Sequence, residues 1–306
     1  MKMLGTGATG YIGGRLVPRL LEAGHEVRVF VRDPVRLRDV PWADQVEVST
    51  GDLASAADVA RAMVGIEVLY YLVHSMSSTG DFERTERHVA STVATAAAAA
   101  TVGRIVYLGG LHPEGKLSPH LRSRKEVGDI LMASGVPTAA LQAGVVIGSG
   151  SASFEMIRHL TEVLPYMPAP KWVRNFIQPI AVRDVLHYVL RYGQRMNGYA
   201  VEAGLKQRPI ASLPVLTPYL ASQWVNLVTP IPRALAVPII SSLQYDAICT
   251  EHDIDVFLDP PAAGLTGYRR AVRYALAKMR EGEVETTWQN ATVRGAPSDL
   301  LPSDPD

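Results

Sequence analysis

The chain has 306 residues, 47% of them apolar and 20% charged, with mean hydropathy +0.08, so most of it can bury apolar surface and disorder over most of its length is excluded. Thirty Lys and Arg balance thirty Asp and Glu, which excludes an overall field that would draw in nucleic acid or acidic lipid and leaves only a local patch for such contacts. One cysteine, Cys249, excludes an internal disulfide framework and a multi-thiolate metal cluster; with no apolar signal-like core behind Met1, the chain reads as cytoplasmic.

Taken in order, six β-branched or apolar runs alternate with helical stretches, the pattern of a parallel sheet covered on both faces. Strands are predicted at Met1–Leu4, Glu26–Val31, Gln45–Ser49, Val68–Val73, Arg104–Leu108 and Ala139–Ile147. Helices are predicted at Ile12–Ala23, closed by Gly24, then at Ala56–Met63, Thr85–Ala100 and Arg122–Ala133. The fold class is therefore α/β: a Rossmann-type, doubly wound parallel sheet over residues 1–200, with a smaller, mostly helical substrate region over 201–280 packed on it and a linker-like tail over 281–306. Beyond Gly148 the regularity falls away, and prolines lead to Gln178–Val185, where Asp184 has the look of a helix N-cap. From Pro209 to Pro232 no residue is charged, and Pro214, Pro218 and Pro230 interrupt the run. Those prolines and the polar residues among them argue against a membrane span and leave an apolar cleft or a membrane-surface contact.

The segment Thr6-Gly7-Ala8-Thr9-Gly10-Tyr11-Ile12-Gly13 follows the first strand and opens the first helix. In that context Gly7 allows a tight turn, Gly10 lets backbone approach a pyrophosphate, and Gly13 lets the helix sit close to the sheet, with free N–H groups and the helix dipole aimed at an anion. At the end of the second strand Arg32, with Arg36 and Arg38 after it, suits a ribose 2′-phosphate, so NADP(H) is preferred over NAD(H); Asp33, adjacent, offers the alternative of a carboxylate on a 2′-hydroxyl.

Together with Val31-Arg32-Asp33-Pro34, Gly51-Asp52-Leu53 and Val145-Val146-Ile147-Gly148, this turn resembles the atypical, extended short-chain dehydrogenase/reductases of the NAD(P)H-binding branch called YbjT-like or NmrA-like. The resemblance implies that Gly7, Ala8, Thr9, Gly10, Tyr11, Ile12 and Arg32 hold the cofactor, that Asp52 and Leu53 border the adenine, that His74 and Ser75 border the nicotinamide-side ribose, and that Gly109 and Val145 face the same cofactor. It also implies a Ser and a Tyr-x-x-x-Lys pair after the fifth strand. Here Gly109-Gly110 stand near the serine position, His120 at the tyrosine position and Arg124 at the lysine position; a register shifted by one leaves Lys125 as the candidate instead. His120 could move a proton near neutral pH and Arg124 could hold a ribose hydroxyl, although an arginine cannot become neutral in a cycle. By the same resemblance, longer relatives carry a further C-terminal domain.

Elsewhere the residues point to no metal: Cys249-x-x-His252 lacks a second ligand pair, and Gly148-Ser149-Gly150-Ser151 has no lysine for a phosphate loop. Asp81, Glu83 and Glu86 read as acids at a helix N-terminus, Tyr70-Tyr71 as sheet core, and Phe154, Met156, Trp172 and Trp224 as candidates to line a cleft. The sequence thus points to an NADP(H)-binding oxidoreductase or epimerase-like enzyme acting on a small, apolar substrate, with no nucleic-acid partner. A non-catalytic NADP(H)-sensing regulator or assembly factor is the alternative, and a peripheral membrane contact through 209–232 is a third reading.

Overall fold

In the computed structural model of the chain, the described residues are 1–73, 82–113, 115–163, 167–170, 175–194, 210–213, 229–243, 245–249, 261 and 263–288. Six parallel strands, β1 (Lys2–Thr6), β2 (Glu26–Val31), β3 (Glu47–Thr50), β4 (Val68–Tyr71), β5 (Arg104–Gly110) and β6 (Thr138–Ala143), form one sheet in the order β3-β2-β1-β4-β5-β6. The order reverses direction between β1 and β4, which places a crevice at the carboxyl ends of those two strands.

The two-residue alternation of the strands feeds two cores. Leu4, Leu69, Tyr71, Ile105 and Tyr107 face helices α2 (Ala56–Met63), α3 (Phe82–Ala99) and α4 (Pro119–Met132), meeting Met63, Ala90, Val93 and Leu131. Met3, Val68, Tyr70 and Val106 point the other way, onto α1 (Gly13–Glu22) and α6 (Val182–Gln194), meeting Leu16, Leu20, Leu186 and Val189. Both faces of the sheet are thereby covered. The alanines of α3 leave little side chain between it and the sheet, so Ala90 and Ala97 are fully buried.

Local chemistry sets the helix boundaries. Ser55 and Ser118 act as N-caps, accepting from the amides of Asp58 at 3.3 Å and Leu121 at 3.2 Å; with Pro119 behind its cap, α4 starts three residues earlier than the expected Arg122. Inside α1, Pro18 cannot donate to the Gly14 carbonyl one turn back, and the Trp42 indole N–H takes that acceptor at 3.2 Å. This puts Trp42 in the core and fixes the β2–β3 connection, which is built of short 3-10 turns, against α1.

The last predicted strand is two. β6 stops at Ala143 and β7 (Val146–Ile147) pairs with β9 (Ile180–Ala181), because at Gly144 the Gln178 carbonyl crosses so closely that a Cβ would lie 2.1 Å from its oxygen. Between them lie α5 (Ala152–Val163) and β8 (Met167–Pro170), the latter paired with β10 (Ile210–Leu213). Gln178–Val185 therefore returns the chain to the sheet domain, and Asp184 is not an N-cap. It sits in the first turn of α6, buried, and accepts from the Thr266 amide at 2.8 Å and hydroxyl at 3.0 Å. Those bonds anchor the start of α8 (Tyr268–Arg280), which follows α7 (Arg233–Ser242). Beyond α8, residues 285–288 are packed rather than loose, with Thr286 and Trp288 buried. Most of 209–232, and 289–306, lie outside the described residues.

Candidate functional site

The turn between β1 and α1 is closed by the Gly10 amide on the Gly7 carbonyl at 2.9 Å. Gly7 has φ +75°, and a Cβ there would lie 2.9 Å from the Leu72 carbonyl oxygen. At Gly13 a Cβ would fall 2.2 Å from the Gly7 oxygen, an overlap with backbone that no side-chain movement relieves. These two glycines bring β1, β4 and the start of α1 together. The Thr6 hydroxyl, donating to the Tyr70 carbonyl at 3.1 Å, pins the strand ends beneath the turn.

The N-cap position of α1 is Ile12, whose side chain makes no capping bond; the Gly14 and Arg15 amides are taken by the Gly10 and Ile12 carbonyls, which leaves the amides of Tyr11, Ile12 and Gly13 without a backbone acceptor at the positive end of the helix dipole. A dinucleotide pyrophosphate fits this cradle: it is glycine-lined, it is at the crevice where the strand order reverses, and the amides of Tyr11, Ile12 and Gly13 have no backbone acceptor. Of the expected contact residues, Ala8 is buried beneath the turn, while Thr9, Tyr11 and Ile12 are partly exposed along it.

Arg32 is exposed directly after β2. The neighbouring Asp33 turns its carboxylate onto its own backbone, accepting from Val35 N–H at 3.0 Å as cap of the 3-10 turn Pro34–Leu37. After β3, Asp52 likewise accepts from Ala54 N–H at 2.8 Å, and its own amide donates to Asp58 at 3.1 Å; Leu53 packs on the core beside it. That amide, with Arg61 and Ser55, holds the Asp58 carboxyl below its ordinary pKa. All of these residues stand at the carboxyl ends of β1, β2 and β3, on one rim. His74 and Ser75 lie outside the described residues.

At the end of β5, Gly109 leaves room for a ring, since a Cβ there would meet Tyr107 at 2.9 Å; Tyr107 stacks edge-on to Tyr71 and donates its hydroxyl to the Arg124 carbonyl at 2.9 Å. A Cβ at Gly110 would meet the Arg124 side chain at 3.2 Å, so Arg124 runs directly beside the strand end. Burial, opposed by the Arg124 guanidinium and helped to a lesser degree by the Glu86 charge, pushes the Tyr107 phenol up to about 12. Val145 is partly buried, and its carbonyl accepts from Ile180 N–H at 2.9 Å.

His120 and Arg124, one turn apart on α4, form a pair. Arg124 Nε donates to His120 Nε2 at 3.1 Å, and because arginine only donates, the remaining imidazole hydrogen is on Nδ1. Burial, then the Arg124 guanidinium, push the His120 pKa down to about 3. At neutral pH this is a neutral imidazole with one N–H to give. Phe82 of α3 packs near it, ring centroids 6.2 Å apart.

Sequence reasoning missed Glu86. Rather than an exposed acid at a helix start it is buried on α3 and accepts from the Ser123 hydroxyl of α4, one residue from Arg124, while Glu83 pairs with Arg122 at 2.8 Å. Only the i, i+3 spacing from Glu83 to Glu86, on the α4-facing side of α3, hinted at it. Phe154 and Met156, expected at a cleft, are core residues with Ile147 and Ile231 respectively; Trp172 and Trp224 lie outside the described residues. Cys249 is partly exposed with its amide on the Gln178 side chain at 2.8 Å; among the described residues no three His, Cys, Asp or Glu gather to hold a metal, and no helix is long and apolar enough to cross a membrane.

A second network stabilises the turn from behind. Arg15 of α1 is buried and donates to the Ser149 carbonyl at 2.9 Å and to the Thr286 hydroxyl at 2.7 Å, while its guanidinium lies 4.7 Å from the centroid of the Tyr11 ring. The Thr286 hydroxyl in turn donates to the Tyr11 carbonyl at 2.8 Å, and the Tyr11 phenol to the Ser149 carbonyl at 3.1 Å. The segment after α8 is thus part of the wall that holds the glycine turn.

The family model described as NAD(P)H-binding matches residues 7–145. The chain is 31% identical to ceramide reductase of Caulobacter vibrioides over 168 residues, covering 53% of this chain and 52% of that protein. It is 35% identical to sterol demethylase protein B of Methylococcus capsulatus over 132 residues, 39% of either chain, so it spans about half the length or less of these curated relatives. Among solved structures, the NADP(H) complex of Citrobacter sp. triphenylmethane reductase shares the fold with TM-score 0.64 and 17% identity, over 90% of this chain and 100% of that one. Residues 7–145 thus match the NAD(P)H-binding family, and the chain shares its fold with the reductase from Citrobacter sp..

Proposed function

We propose that the protein is an NADPH-dependent reductase that delivers hydride to an apolar, lipid-like carbonyl substrate. The observation that carries this reading is the uncapped, glycine-lined start of α1 at the reversal point of the sheet, with Arg32 exposed at the end of the neighbouring strand. Arg32 can form charge-assisted bonds to a 2′-phosphate, and the engagement of Asp33 with Val35 N–H weakens the competing carboxylate reading. Relatives named for ceramide and sterol support the apolar substrate.

In this mechanism the amides of Tyr11, Ile12 and Gly13 would hold the pyrophosphate and Arg32 the 2′-phosphate, and NADPH, when bound, would supply the hydride. His120 occupies the position of the family's tyrosine, but a pKa of about 3 makes it a poor store for a proton at neutral pH. Its role is that of a neutral donor: Nδ1–H stabilises the oxyanion that develops on the substrate carbonyl, and the final proton comes from water. Arg124 fixes the tautomer that leaves Nδ1 protonated.

The test is NADPH oxidation, followed by nicotinamide absorbance, over a panel of ceramide-like and steroid ketones. Turnover that falls at least ~100-fold in His120→Ala, within the range measured when one oxyanion donor is removed, with NADPH affinity unchanged, supports the reading. Full activity in His120→Ala removes His120 from the mechanism, and tight NADPH binding without turnover on any ketone returns the sensor or assembly-factor alternative to first place.

A further inference from the structure

Helix α8 buries Ala271, Val272 and Ala275 against Ile147, Phe154 and Ala181 and turns Arg269, Arg270, Arg273 and Arg280 to solvent. Its thirteen residues contain five Lys or Arg and no Asp or Glu, which leaves 25 bases against 30 acids in the rest of a chain of zero net charge. Positive charge is thereby concentrated on one face. Lys278 is matched by Glu283, and Glu285 by Arg15 and Arg19, so the acids that follow the helix serve its C-terminal end. Among the described residues, Arg269, Arg270, Arg273 and Arg280 have no carboxylate within ion-pair distance.

Folding accounts for Arg280, a cation that the dipole favours in the last turn of α8, but not for the rest of the stripe. Arg269 and Arg270 occupy the first turn of α8, where the helix dipole disfavours cations, and the N-cap Gly267 supplies no side-chain bond. Arg269 and Arg273, at i and i+4, repel each other along the same stripe that Arg280 extends. Beside the stripe stands Tyr274, 47% exposed, with the Arg183 guanidinium of α6 5.5 Å from its ring centroid. Between α1, α6 and α8 a cleft of about 290 Å³ opens beside it, floored by Ile147, Leu186 and Ala271 and rimmed by Arg183 and Lys278.

We propose that the outer face of α8 docks the protein on an anionic phospholipid surface, with Arg269, Arg270, Arg273 and Arg280 on the lipid phosphates and Tyr274 at headgroup level. An unmatched cationic stripe on a helix already packed into its own domain binds by charge rather than by insertion, and a lone exposed tyrosine beside it suits the membrane–water boundary. This contact is separate from the reductase reading, because it is measured without turnover.

The experiment is flotation of the intact protein with vesicles of phosphatidylcholine alone or mixed with phosphatidylglycerol, at low and high salt. The expected result is partition onto the anionic vesicles only, lost at high salt, weakened about 100-fold in the triple variant Arg269→Gln/Arg270→Gln/Arg273→Gln at roughly fivefold per cation, and kept in the matching triple Lys variant. An unchanged unfolding midpoint in both variants ties the loss to charge. No partition onto anionic vesicles, or equal partition by the Gln variant, overturns the proposal. So does tighter binding to duplex DNA than to vesicles at the same salt, lost in the Gln variant, which would assign the face to nucleic acid.

Discussion

Replacing Arg15 with alanine should unfold the link between the end of the chain and the glycine turn. The Arg15 side chain is 5% exposed and gives charge-assisted bonds to Ser149 and to the hydroxyl and carbonyl of Thr286, the last at 3.2 Å, with Glu285 3.6 Å away. Removing it leaves those acceptors buried and unmatched, and losses of about 3–5 kcal/mol are typical when one partner of a buried charged network is deleted. That is a large share of the ~5–15 kcal/mol that holds a domain together. Arg19 provides the control: it bonds the same Glu285 at 2.7 Å but is 33% exposed, so Arg19→Ala should cost at most about 1 kcal/mol. Urea unfolding of the three proteins, followed by circular dichroism, gives the difference in midpoint and slope. NADPH affinity should fall with Arg15→Ala, because Thr286 no longer holds the Tyr11 carbonyl. A loss below about 1 kcal/mol, or one equal to that of Arg19→Ala, would refute the claim that this network supports the turn.

Three further outcomes follow from particular groups. Unfolded histidine titrates near 6.5 and His120 at about 3, so above pH ~6.5 its contribution to stability is fully present, and it is lost as pH falls toward 3 because only the unfolded chain takes up the proton. Stability should drop by up to about 1.4 kcal/mol per pH unit below pH ~6.5 on this account, and His120→Gln should flatten that slope in pH-dependent urea unfolding; an undiminished slope assigns it to other groups. In Asp184→Asn only one acceptor oxygen remains for the two Thr266 donors, so the protein should lose about 1–3 kcal/mol and α8 amides should exchange faster; unchanged exchange in α8 would contradict the anchoring role. Gly13→Ala drives a methyl to 2.2 Å from the Gly7 oxygen and should abolish NADPH binding measured by fluorescence, whereas Gly10→Ala, at 3.1 Å from the same atom, should weaken it less; the reverse order would refute the cradle geometry.

What could be read from the sequence was local. Alternation within Glu26–Val31 and the glycine spacing after β1 declare themselves within a few residues, and so the parallel strands and the glycine turn were legible, while the Ser118-Pro119 start of α4, equally local, was passed over for Arg122. What escaped depends on partners far along the chain. The break in β6 is made by the Gln178 carbonyl crossing Gly144, the role of Asp184 by Thr266 82 residues later, and the burial of Arg15 by Thr286 271 residues later. A tail composed like a linker gives no periodic sign that Glu285, Thr286 and Trp288 meet α1 and the β7–α5 loop. Charges misled for the same reason: Glu83 and Glu86 look alike in sequence, and only the position of α4 makes one an ion pair and the other a buried acceptor for Ser123.

The most direct measurement is a calorimetric titration of the purified protein with NADPH and with NADH, repeated on Arg32→Ala. Charge-assisted bonds to the 2′-phosphate contribute about 1.5–3 kcal/mol, so the account predicts NADPH binding tighter than NADH by roughly tenfold or more, and a variant that no longer distinguishes the two. Equal affinity in the native protein would contradict the NADPH assignment, and no binding of either nucleotide would contradict the function proposed for the turn itself.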